Sequence, residues 1–157
     1  MLFSTKAEYG VRLMVELARQ ASRGDAATPV SLGSVADGEM LPLSYLEHLV
    51  AKLREAGLVT SVRGAHGGYL LAQPAKRITM LDVVQALEGP IAPMECFHAE
   101  REGRVQCSHE SDERACATKL LWTRVHGGIT SALARTTLAE LAEFAEQHSP
   151  REPAAVA

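Results

Sequence analysis

No run of about 18 apolar residues occurs in the sequence, so no membrane-spanning helix and no membrane partner are expected. The opening Met1-Leu2-Phe3-Ser4-Thr5-Lys6 has neither the apolar stretch nor the cleavage site of a signal peptide. A cytoplasmic location is the expectation. A Gly-x-x-x-x-Gly-Lys pattern is also missing. The glycine-rich stretch Gly64-Ala65-His66-Gly67-Gly68 precedes a strand-like run instead of a helix, which argues against a phosphate-cradling loop. Charge is scarce enough, at 22%, and apolar residues are common enough, at 46%, that the 157 residues can bury a core.

Cysteine is rare and confined. Cys96, Cys107 and Cys116 are the only three, and all lie within one short polar window. Buried structural cysteines would be scattered among apolar neighbours. An odd count fits a disulfide framework poorly, and a reducing compartment disfavours one. Three thiolates in a polar loop suit a soft metal or an iron–sulfur cluster, with one ligand still to be supplied from elsewhere. Zinc with three cysteines and His98 or His109, or a simple thiol switch, are the alternatives. A cysteine-dependent enzyme is disfavoured, because no cysteine has a sequence-defined base beside it.

The net charge of −3 hides an asymmetry. Residues 41–77 carry Lys52, Arg54, Arg63, Lys76 and Arg77 against only Glu47 and Glu55. Residues 95–116 carry six acids against three arginines. The first region could meet a phosphate backbone, and the second would be repelled by it.

The periodicity predicts a mainly α protein. Ala7, Val11, Met14 and Ala18 mark a first helix, opened by a Thr5-x-x-Glu8 capping box and ended near Gly24 and Asp25. Arg12, one turn after Glu8, can pair with it. Thr28-Pro29-Val30 reads as a short extended piece. Ser31 caps a short second helix that Gly38 should stop. A third helix, Leu43 to Ala56, buries Leu46, Leu49, Val50 and Leu53 and ends at Gly57. Ser44, Tyr45, His48 and Lys52 lie on its other face, where they can read a groove. Two strands about the Gly64–Gly68 turn make a hairpin. This order describes a winged helix-turn-helix, with Arg63 at the wing tip suited to a minor groove. Thr79-x-x-Asp82 caps a fourth helix, with Ile78 and Val83 as a hydrophobic staple. Leu121, Val125, Ile129 and Leu133 then mark a long helix with little to pack on in its own chain, so a homodimer is expected. A last helix from about Thr137 has Leu138, Leu141 and Phe144 as its apolar face. The expected divisions are 1–90 (DNA-binding winged helix), 91–116 (cysteine loop), 117–148 (dimerisation and C-terminal helices) and 149–157 (disordered tail).

Several segments together resemble the bacterial IscR/NsrR-type regulators. They are Ser4-Thr5-Lys6-Ala7-Glu8-Tyr9, Leu43-Ser44-Tyr45-Leu46-Glu47-His48-Leu49, Lys52-Leu53-Arg54-Glu55-Ala56-Gly57-Leu58-Val59 and Ser61-Val62-Arg63-Gly64-Ala65-His66-Gly67-Gly68-Tyr69. The resemblance implies a homodimeric transcription factor on a two-fold duplex-DNA operator, controlled by a 2Fe–2S or 4Fe–4S cluster. Its implied cluster ligands are Cys96, Cys107 and Cys116. Ser44, Tyr45, Glu47 and Arg63 match DNA-reading positions, and His48, Lys52, Gly64 and His66 adjoin them on the helix and wing. IscR-like proteins have a ligating histidine three residues after the last cysteine, where this chain has Lys119. NsrR-like proteins use a first-helix carboxylate of the partner subunit, and Glu8 stands at that position, in competition with its capping role and with His98 and His109 as alternative fourth ligands.

Overall fold

The computed structural model describes residues 3–23, 28–92 and 117–148. The cysteine segment from 93 to 116, Gly24 and Asp25, and the 149–157 tail lie outside the described residues. The chain is mainly helical with one small antiparallel hairpin. Helix α1 spans Thr5–Arg23, α2 Leu32–Glu39 and α3 Leu43–Glu55. Strands β1 (Val59–Val62) and β2 (Gly68–Leu71) follow. A 3-10 turn at Ala75–Arg77 leads to α4 (Met80–Glu88). Helices α5 (Ala117–Arg135) and α6 (Leu138–His148) complete the described chain.

Helix α1 lies at the centre and touches α2, α3, α4, β2 and α6. Its buried stripe is Ala7, Gly10, Leu13, Met14, Leu17 and Ala18. Its cap is Ser4, not the Thr5 and Glu8 pair that the sequence suggests. The Ser4 hydroxyl accepts from the Lys6 N–H at 3.1 Å, and the Ala7 N–H donates to the Ser4 carbonyl. A contact distant in sequence explains the shift. The Ser4 N–H and hydroxyl both donate to the Glu88 carboxylate at the end of α4, which anchors the chain one residue earlier. Gly10 lets the two helices meet, since a Cβ there would fall 2.0 Å from Leu87 Cδ1.

Helix α2 is capped by Ser31, whose hydroxyl accepts from the Ser34 N–H at 3.0 Å. It runs through Gly38 to Glu39 and turns at Met40, in the left-handed region with φ 53°. The sequence expectation of a stop at Gly38 is therefore corrected. The later turn delivers Leu41 into the core, with its N–H donating to the Ala36 carbonyl at 2.9 Å. Helix α3 buries Leu46, Leu49, Val50 and Leu53 as expected. It ends in a Schellman motif: Gly57 has φ +72°, its N–H donates to Arg54 and the Leu58 N–H donates to Leu53.

In the hairpin, Val59 pairs with Leu71 and Val62 with Gly68. Val30 adds a bridge to Tyr69, with reciprocal N–H to carbonyl bonds of 3.0 and 2.8 Å, so the short extended piece forms a third edge. Helix α4 carries the predicted capping box: the Thr79 hydroxyl accepts from the Asp82 N–H, and the Asp82 carboxylate from the Thr79 N–H. Ile78 and Val83 are fully buried beside it. Thr79 also bridges to Thr137, which ties the start of α4 to the start of α6. In α6, Leu138 and Ala142 are buried, but Phe144 is 61% exposed and stacks on His148. Phe144, part of the apolar face read from the sequence, therefore stays outside the core. α6 meets α1 along Leu138 and Ala142, and the Arg23–Glu146 ion pair at 2.8 Å closes the far end.

Candidate nucleic-acid interface and the cysteine segment

The buried stripe of α3 dictates what its other side offers. With Leu46, Leu49, Val50 and Leu53 packed inward, Leu43, Ser44, Glu47 and His48 are left exposed over two turns. Tyr45 differs from the sequence expectation of a free aromatic. It is half-buried and meets Tyr9 edge-on, with ring centroids 5.8 Å apart and planes at 87°. The contact locks the recognition-like helix to α1. Lys52 is exposed but reaches toward α4, with Nζ 3.4 Å from the Leu87 carbonyl oxygen. A cation at that helix C-terminus meets unpaired carbonyls and the negative end of the helix dipole.

The wing is shaped by its glycines. Gly64 has φ +125°, a conformation that a side chain would strain. A Cβ on Gly67 would fall 2.4 Å from the Val62 carbonyl oxygen, and one on Gly68 2.4 Å from that of Val30. The Gly67 N–H donates to the Gly64 carbonyl at 3.0 Å and closes the turn. Arg63 and His66 are thereby held exposed at the tip. Ser44, Glu47 and His48 thus lie on α3, and Arg63, Gly64 and His66 on the wing that follows it.

Leu43 and Met40 were not singled out as site residues in the sequence. They are 45% and 89% exposed, and they stand where the turn enters α3. No sequence signal marked them: Leu43 has the spacing of the buried stripe relative to Leu46 and Val50, and Met40 lies in the turn before α3.

Among the described residues, no group of three or more His, Cys, Asp or Glu side chains is arranged to hold a metal ion. Cys96, Cys107, Cys116, His98 and His109 lie outside the described residues. Their flanks are described. Ile91 packs with Ala7 and Val84, which sets it beside the first turn of α1. Helix α5 begins at Ala117, the residue after Cys116. Glu8 is exposed on that first turn. Arg12 does not pair with it as the spacing suggested, because Arg12 Nε bonds the Glu39 carboxylate at 3.0 Å instead. The helix-turn-helix packing draws α2 alongside α1 and offers Arg12 this nearer partner. Lys119 is exposed in the first turns of α5.

Two short helices, a recognition-like helix and a glycine-shaped hairpin, assembled on α1, define a winged-helix DNA-binding protein. Comparison with known proteins narrows the class. The family model described as Rrf2, iron-dependent transcriptional regulator, matches residues 3–143, and the chain belongs to that family. It is 39% identical over 146 residues to the HTH-type transcriptional regulator CymR of Bacillus subtilis, covering 93% of each chain. The structure of that protein, described as the global cysteine regulator of B. subtilis, superposes with a TM-score of 0.73 at 38% identity, covering 92% of this chain and 98% of that one. IscR of Xenorhabdus nematophila is 35% identical over 146 residues, covering 93% of this chain and 82% of its own. The structure of T. potens IscR gives a TM-score of 0.73 at 35% identity, with 98% and 94% covered. The protein is accordingly a DNA-binding transcriptional regulator and not an enzyme. No helix among the described residues is long and apolar enough to cross a membrane.

Proposed function

We propose that this regulator works in the cytoplasm as a symmetric homodimer on a two-fold operator, and that an iron–sulfur cluster held by Cys96, Cys107 and Cys116 controls its binding. The observation that carries this is the placement of every cysteine in one segment, which joins the helix braced against the DNA-reading half to the helix with the uncovered apolar face. Three thiolates with a carboxylate fourth ligand fit a cluster of the 2Fe–2S or 4Fe–4S type. Glu8 of the partner subunit is that carboxylate in this reading. It is exposed, relieved of the cap by Ser4, and left by Arg12 for Glu39. When bound, the group supplies a site whose charge and integrity respond to oxidants. The similarity to IscR supports the same reading.

The residues around the segment supply a mechanical route. Ser4 holds Glu88, Lys52 reaches the Leu87 carbonyl, and Ile91 rests on Ala7. A displacement at 89–92 is therefore felt by both α1 and α3. Dimerisation rests on α5, where Leu120 and Leu121 are more than half exposed and no residue is buried. Arg63 and the exposed face of α3 then meet the operator, one set per half-site.

A second reading keeps the DNA binding and uses the cysteines as a thiol switch or zinc site. The specific observation favouring it is the 39% identity to CymR, described as a cysteine regulator. Anaerobic purification separates the two. The cluster reading expects visible absorption with iron and acid-labile sulfide, and loss of all three when any one of Cys96, Cys107 or Cys116 becomes alanine. Colourless protein without iron after anaerobic reconstitution, with operator binding altered by thiol oxidation, would establish the second reading.

A further inference from the structure

We infer that Leu43, flanked by Met40, reads the 5-methyl group of a thymine in each half-site. The inference rests on the reading of α3 and the wing as the DNA interface. Leu43 is the first residue of α3, and 45% of it is exposed. It stands one turn before Glu47 and directly before Ser44, at the edge of the exposed face. The core leaves it exposed although it precedes Leu46 and Val50 by three and seven residues, the spacing of the inward stripe. Met40, three residues earlier, is 89% exposed. Its left-handed backbone, φ 53°, is one that glycine adopts without strain. The turn itself therefore gives no reason for a methionine. Two large apolar side chains are thus presented at the N-terminal end of the recognition helix, the end that approaches base edges in helix-turn-helix proteins. The thymine methyl is the apolar feature of the major groove, and aliphatic side chains recognise it by contact. Phosphates and the polar base edges offer Leu43 nothing. The adjoining Ser44, Glu47 and His48 supply the hydrogen-bonding part of the same surface.

The experiment uses the full chain and a fluorescein-labelled palindromic duplex selected by it from a random library. Each thymine is replaced in turn by deoxyuridine, which keeps every hydrogen-bonding group and removes only the methyl. At one symmetric position per half-site, wild type is expected to lose about fourfold in affinity per half-site, the effect of one buried methyl. With Leu43→Ala, thymine and uracil duplexes should bind alike at that position, while the thermal midpoint stays unchanged because the side chain is exposed. Met40→Gly should reduce the methyl effect and leave the turn intact. Indifference of the wild type to every substitution, or an undiminished methyl effect in both variants, overturns the inference. Arg63→Ala and Glu47→Ala are the controls. If they weaken binding while the methyls are immaterial, this inference alone fails. If they leave affinity unchanged, the interface reading beneath it fails as well.

Discussion

Helices α1 and α5 are each 19 residues long, and they have opposite fates. Six residues of α1 are buried, and none of α5. Both sequences carry apolar residues at helical spacing. The difference is in what each finds to pack against. α1 is surrounded by α2, α3, α4, the hairpin and α6. α5 touches α4 through Ile129 and Leu133, which cover Ala7, Val84 and Ile91, and then extends away with Leu120 and Leu121 exposed. A 3.6-residue pattern states that a face will be covered. It does not say whether the cover comes from the same chain.

The same substitution in both helices breaks the comparison most sharply. Leu17→Ala should cost about 3 kcal/mol of protomer stability, since the side chain is 2% exposed and leaves a cavity in the central helix. Denaturant unfolding at fixed concentration measures it. Leu121→Ala should cost the isolated protomer less than about 0.5 kcal/mol, as for other surface positions. It should instead raise the dimer dissociation constant by about tenfold or more, read by ultracentrifugation over a dilution series. Equal losses in protomer stability from the two variants would erase the distinction.

Smaller effects sharpen the boundary of the rigid half. Thr79→Ala removes one side of the α4 capping box and should cost about 1 kcal/mol. The same loss is expected at Ser4→Ala, which removes the α1 cap and the hydroxyl's bond to Glu88 while leaving the backbone N–H bond in place. Glu8→Ala is the smallest in stability, below about 0.5 kcal/mol, because its neighbour Ser4 does the capping. Its visible spectrum and rate of cluster loss should nevertheless change if Glu8 is the fourth ligand. An unaltered spectrum with unaltered decay moves the role to His98 or His109.

The local signals were legible where the deciding contacts lie within a few residues. The buried stripe of α3, the Schellman stop at Gly57, the Thr79–Asp82 box and the glycine-shaped wing all belong to this group. Apart from the local turn at Met40, which carries α2 past Gly38, the corrected expectations share one cause. Ser4 displaced Thr5 as the cap because Glu88 lies beside it in space. Arg12 chose Glu39 over Glu8 because α2 packs alongside α1. Tyr45 turned inward because Tyr9 was there to pack with it in a T-shaped pair. Phe144 stayed outside because α6 meets α1 through Leu138 and Ala142. Each depended on a neighbour distant in the chain.

The sequence by itself determined the helical class, the winged order of elements, the wing turn and the gathering of all three cysteines into one polar segment. Those follow from periodicity, capping chemistry, glycine's conformational range and simple position along the chain. Tertiary structure alone decided that Arg12 meets Glu39 and Arg23 meets Glu146, that the Val30 and Thr79–Thr137 bridges form, and that Leu43 and Met40 stand exposed beside the reading face. The physical reason is that burial and pairing belong to two surfaces at once, and only folding brings the second surface into place.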